Sequence, residues 1–262
     1  MVYFVGAGPG ATDLITVRGQ SLLEKADIVI YAGSLVNPEL LKNCRECAEI
    51  YNSAKMTLEE VLAVMKKGDE NHKTIVRLHT GDPSLYGAIR EQMDELDKIG
   101  IKYESVPGVS SFCGAAASLN LEYTLPNVTQ TVIISRLQGK TDVPEKESLR
   151  NLARHNSTLV LFLSSGMTEK VQEELLEAGI SPETPVALVY KATWPDEKSV
   201  ICTVATLAES ARANGISKTA LIIVGDVVSC GNYARSKLYS PDFATEFRKP
   251  IAPLESNDSA LV

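Results

Sequence analysis

Short β-branched runs alternate with segments of helical period through the first 120 residues, and this alternation leaves few folds open. The run VYFVGAG is an apolar strand ending in glycines. In TVRGQSLLEKA, Val17, Leu22, Leu23 and Ala26 are spaced for one helix face. DIVIYAG reads as a buried strand. NPELLKNC reads as a short helix with Asn37 as cap and Pro38 at its first position, and EIYNSA as a further strand. TLEEVLAVMKKG is a helix with a Thr57/Glu60 capping box, and Gly68 is expected to stop it. KTIVRLHTGDP is a strand running into a turn. SLYGAIREQMDELDKIG is an amphipathic helix, expected to follow an Asp82 cap with Pro83 at its first position and to end at Gly100. IKYESVPGVSSFCGAAASLNL gives a strand, a Pro-Gly turn and a small-residue helix with Ser110 or Ser111 as cap candidate. Strands alternating with helices predict a mostly parallel sheet.

The pattern changes around LEYTLPN, residues 121–127. Beyond it TQTVIISR, STLVLFLSS, TPVALVYKAT, SVICTVATL and TALIIVGDVVS read as strands, with helices MTEKVQEELLEAG and LAESARANG among them. More strands per helix predict a mixed second sheet. The expected organisation is α/β, with domains at 1–120 and 121–240 and an extended or disordered tail, 241–262, that is polar and contains prolines.

Composition narrows the function. Apolar residues are 44% and charged residues 23%, and the formal net charge is -7. That balance disfavours a nucleic-acid backbone as main partner, and an anionic ligand would need a local basic patch. No apolar run is long enough to span a membrane, and no signal-peptide pattern is present. Five cysteines, an odd number, point to a reduced, cytoplasmic setting. Cys44 and Cys47 form a C-x-x-C pair. Cys113, Cys202 and Cys230 are scattered, and His72, His79 and His155 lack ligand spacing, so no metal is expected. A redox pair is the alternative; two thiols at a helix end is the plainer reading.

VGAGPGATDL, with Gly6, Gly8 and Ala11, satisfies a permissive dinucleotide-binding spacing. The chemistry argues otherwise. Pro9 removes an N–H, Pro9-Gly10 favours a tight turn, and ATDLITV delays the helix. The second strand ends in Tyr31-Ala32-Gly33 without an acid for a ribose, and Asp27 lies at its other end. HTGDPSLYG and VPGVSS also follow strands and carry few charges. They suit a ligand held by backbone groups and apolar contact.

The set VGAGPG, RLHTGDPSLYG, VPGVSSFCGAAASL, TQTVIISR and PVALVYKAT resembles the tetrapyrrole (corrin/porphyrin) methylases nearly throughout, to about residue 240. YAGSLVNPELL, YNSAKMTLEE and TQTVIISRLQGKT are most similar to the branch that methylates C11 of precorrin-4 or cobalt-precorrin-4 in cobalamin biosynthesis. Where uroporphyrinogen methylases carry a YDRLVS-type stretch, Ala32 replaces the aspartate implicated there as a base. The resemblance implies two α/β domains, each a sheet flanked by helices, with S-adenosylmethionine in the cleft between them, and a homodimer. Carried over by motif, the cofactor residues are Pro9, Thr80, Gly81, Asp82, Leu85, Ser110, Ser111, Leu163, Ala192 and Ala220, most through main-chain atoms. The tetrapyrrole carries many carboxylates, for which Lys55, Arg136 and Lys191 are candidate cations. Tyr86 is a candidate at the trough edge; for Met56 core packing is the plainer reading. No residue is identified as catalytic base. Methylation of another ring carbon, an NAD-dependent oxidoreductase and a non-catalytic binding protein are the rival readings.

Overall fold

The computed structural model describes residues 1–229, 231, 233–234 and 236–251. Five strands, β1 (Val2–Gly6), β2 (Ile28–Tyr31), β3 (Glu49–Asn52), β4 (Ile75–His79) and β5 (Tyr103–Val106), form an all-parallel sheet in the order β3-β2-β4-β1-β5. Its central strands are apolar on both faces because helices cover both. Leu23 of α1 (Val17–Lys25) packs with Val5, Val29 and Leu78 on one face. On the other, Met65 of α2 (Leu58–Glu70) and Leu96 of α3 (Arg90–Lys98) pack with Phe4 and Ile30. The neighbours β1 and β4 therefore send their connections to opposite faces, and a crevice opens between their carboxyl ends.

The second sheet is mixed. Strands β6 (Val132–Arg136), β7 (Thr158–Phe162), β8 (Pro185–Tyr190), β9 (Lys198–Thr203) and β10 (Ala220–Val224) lie in the order β6-β7-β10-β8-β9. Only β6 and β7 pair in parallel. Helices α5 (Leu149–Ala153), α6 (Thr168–Glu177) and α7 (Leu207–Ala213) cover one face through Leu149, Leu175 and Leu207. The opposite face receives α4 (Ser111–Leu119), whose Ala115 packs against Val160, Val189 and Ile223. Thus α4 continues from the first sheet but packs on the second. Its alanines pack on that sheet, while Gly114 admits the glycine loop that follows β1: a Cβ there would stand 2.8 Å from the Pro9 side chain.

Several local expectations are corrected. Gly68 does not stop α2, which continues to Glu70; it is buried where a side chain would strike Ile28 and Ile75. The Thr57/Glu60 capping box is present. Residues Pro38–Asn43 form a 3-10 helix, with Asn37 accepting from the Glu39 N–H at 3.1 Å. The helix expected from Pro83 begins at Arg90 instead. Tyr86 and Ala88 adopt left-handed φ values of 56° and 48°, which interrupt helical propagation. Asp82 caps no helix; it closes a turn on Ser84. In the tail, Arg248 donates to the carbonyls of Leu238, Ser240 and Phe243. Residues 252–262 of the expected tail 241–262 lie outside the described residues, as does Cys230.

Candidate active site

Three loops meet backbone to backbone at the crevice. Gly8 and Gly81 exchange hydrogen bonds, N to O, at 3.3 and 2.8 Å. A Cβ on Gly6 would stand 2.6 Å from both the Gly108 Cα and the Gly81 carbonyl oxygen, and one on Gly108 2.2 Å from that oxygen. Only glycine fits at such a crossing. Asp82 completes it: one carboxylate oxygen accepts from the Ser84 N–H and hydroxyl, the other from the Gly108 N–H at 2.8 Å. The glycines of VGAGPG thus serve contact between loops. The chain then turns through a 3-10 segment, Thr12–Leu14, and α1 starts only at Val17. That is not the immediate helix entry a pyrophosphate site needs.

The crossing forms one wall of a cleft of about 920 Å³, counting its solvent-open part. The opposite wall comes from the second sheet. All ten residues expected at the cofactor line this cleft: Pro9, Thr80, Gly81, Asp82, Leu85, Ser110, Ser111, Leu163, Ala192 and Ala220. Tyr86 and Lys191 line it as well. Lys55 and Arg136 do not. Lys55 ends an exposed 3-10 turn, Ser53–Lys55, and the neighbouring Met56 packs against the core of the first sheet. Arg136, at the end of β6, donates to the carbonyls of Thr141 and Asp142.

Sequence reasoning missed Leu35, Phe162 and Trp194, which also line the cleft. Trp194 lies inside the motif KATWPDE and is the only tryptophan, which was the available signal. Leu35 and Phe162 looked like ordinary apolar positions. The Tyr86 ring packs on Phe162 across the cleft, with centroids 5.3 Å apart. Tyr86, Leu163, Lys191 and Thr219 all hold left-handed backbones with φ between 47° and 56°. Such strain gathers where surrounding structure fixes a site.

A family profile described as "Tetrapyrrole (Corrin/Porphyrin) Methylases" matches residues 1–208. The cobalt-precorrin-4 C(11)-methyltransferase of Methanocaldococcus jannaschii is 56% identical over 248 residues, 95% of this chain and 96% of that protein. The chain belongs to the tetrapyrrole methylases. Among solved structures, a cobalt precorrin-4 methyltransferase of cobalamin biosynthesis superposes with a TM-score of 0.86 at 50% identity, covering 87% of this chain and 96% of that one. The uroporphyrin-III C-methyltransferase of Thermus thermophilus, complexed with S-adenosylhomocysteine, gives a TM-score of 0.73 at 30% identity, covering 87% and 98%.

The methylase cleft carries few ionisable side chains, and Asp82, Lys191 and Tyr86 each have the pKa pushed further from neutral pH. Burial raises the Asp82 carboxyl, but the bonds from Ser84 and Gly108 outweigh it and keep the group below its ordinary value. Lys191 is raised by its bond to Asp196 at 2.6 Å; its ammonium also lies 5.0 Å over the Trp194 ring. Burial raises the Tyr86 phenol, opposed by the nearby Arg136 charge. A general base works best near the operating pH. This arrangement offers alignment instead. Among the described residues no cluster of three or more His, Cys, Asp or Glu could hold a metal, and no helix is long and apolar enough to cross a membrane.

Proposed function

We propose that this methylase transfers a methyl group from S-adenosylmethionine to C11 of precorrin-4, in its cobalt-bearing form, within cobalamin biosynthesis. The observation that carries the reading is the convergence of all ten motif residues on one cleft between the sheets. The cleft fits the donor. Ala192, Ala220 and Gly81 leave room, Leu85 and Leu163 are apolar, and Lys191 is already paired with Asp196. A sulfonium therefore meets no uncompensated cation among the described lining residues. When bound, the donor supplies a methyl on a positively charged sulfur.

The chain's contribution is alignment. Backbone groups of the three loops and the small residues of the second sheet hold the donor, and Tyr86 borders the acceptor ring. Orientation of this kind is worth up to about 7–11 kcal/mol. Lys191, Arg136 and Lys55 are the cations offered to the substrate carboxylates, Arg136 and Lys55 from outside the cleft wall. The cobalt form is favoured by the identity to the Methanocaldococcus jannaschii relative. The cobalt belongs to the substrate.

The division into 1–120, 121–240 and a tail 241–262 is part of the same proposal. It is supported by one sheet in each unit, with α4 bridging them. So are a homodimer, a cytoplasmic location and the absence of a nucleic-acid partner, which rest on the family and the acidic balance. Parallel equilibrium dialysis with S-adenosylmethionine and NAD tests the donor. Turnover of cobalt-precorrin-4 with a carbon-13-labelled methyl donor tests the reaction. The expected product gains one methyl at C11; retention of NAD alone, or label on another carbon, overturns the assignment.

A further inference from the structure

Thr193 is a β-branched residue at φ 69°, in a backbone region its side chain disfavours. Three contacts impose that conformation. Its N–H donates to the Glu197 carboxylate. Its Oγ1 accepts from the Ala11 N–H at 2.9 Å. Its methyl faces Gly114 of α4, where a Cβ would come within 3.3 Å. Glu197 in turn accepts from the Ser118 hydroxyl at 2.7 Å. The next residue repeats the pattern. The Trp194 indole N–H donates to the Pro9 carbonyl at 3.0 Å, and the ring lies so close to Gly10 that a Cβ there would stand 2.1 Å away. The turn after β8 thus holds the glycine loop of the first sheet on both sides of Gly10, and it also carries Ala192 into the cleft wall.

We propose that the Thr193–Trp194 turn is a clasp that sets the width of the donor cleft, and that Thr193 is a positioning residue for donor binding although it does not line the cleft. The inference rests on the donor reading above. Pro9 and Ala192 line the cleft from opposite sheets. The clasp fixes the separation between them. Without it the competent arrangement is populated only part of the time, and apparent donor affinity falls by that fraction.

Thr193→Val keeps the branching and the shape but deletes the acceptor, leaving the Ala11 N–H unpaired. Thr193→Ser keeps the acceptor. Binding of S-adenosylhomocysteine to the full chain is measured by calorimetry, with emission of Trp194, the only tryptophan, as a local reporter. The valine variant is expected to bind about tenfold more weakly, from the cost of one unmade hydrogen bond. Its Trp194 emission should shift in the free protein. Its KM for the donor should rise by a similar factor while kcat at saturating donor stays within about twofold. The serine variant should bind within about twofold of the parent. Parental affinity in Thr193→Val, or a serine variant as weak as the valine one, overturns the clasp. A parent protein that fails to bind S-adenosylhomocysteine overturns the donor reading instead. Should Thr193→Val not fold, Thr193→Ala deletes the same acceptor with a smaller side chain at a position outside the cleft lining: weakened binding supports the clasp and unchanged binding overturns it.

Discussion

His79 closes β4, only 3% exposed, and its Nε2 has no hydrogen-bond partner among the described residues. Burial, and then the charge of Arg77, push its pKa down to about 3. Between that value and the ordinary 6.5 the unfolded chain binds more protons than the folded one. The contribution of His79 to stability is therefore complete above about pH 6.5 and is lost as pH falls toward 3, with a limiting slope of about 1.4 kcal/mol per pH unit. His79→Leu should flatten that part of the profile, measured as the denaturation midpoint from pH 7 to 4.5; an unchanged profile refutes the assignment. Asp82 acts in a lower window. Its carboxyl is held below the ordinary value, so its contribution is present above about pH 4 and is lost on further acidification. Arg77 shows how the same strand supports the site. Its buried guanidinium donates to Gln92 and to the Ile30 carbonyl, and Gln92 donates to the carbonyl of Ala88 in the loop that carries Tyr86.

Among the elements, the glycine crossing and α4 decide where the cleft lies. Gly6 ends β1, Gly81 and Gly108 belong to the loops after β4 and β5, and their contacts are backbone on backbone. A methyl group at Gly108 has no flexible neighbour to displace. Gly108→Ala is expected to destabilise the fold by about 1–3 kcal/mol, the usual cost of overpacking, and to abolish S-adenosylhomocysteine binding in calorimetry. A variant with parental stability would mean that the loops separate without loss. Helix propensity placed the start of α2 and its capping box correctly, but not its end, since the helix runs through Gly68 to Glu70. It misplaced the start of α3, because SLYGAI carries an apolar pattern compatible with a helix while Asp82 spends its carboxylate on Ser84 and Gly108. The small residues of α4 were legible, but not that they serve packing on a sheet formed later in the chain.

At the scale of the whole molecule, the cleft is built from both sheets, so donor binding should stabilise both together. At a concentration one hundred times its Kd, S-adenosylhomocysteine is expected to add about 2.7 kcal/mol to stability. Hydrogen exchange should slow at residues 79–82 and 191–194 in the same experiment; protection confined to one sheet would place the ligand elsewhere. The sequence by itself determined the alternation of strands and helices, the parallel first sheet and mixed second one, and the glycine- and proline-bearing turns that follow β1, β4 and β5. These follow from local period, β-branching and turn chemistry, which each segment carries within itself. Tertiary structure alone decided that α4 packs on the second sheet and that Arg136 and Lys55 stand outside the cleft wall. It alone decided that Thr193 and Trp194 fasten the first loop of the chain from about 180 residues away. Contacts between segments so distant leave no periodic trace, because their partners are selected by how the two sheets face each other.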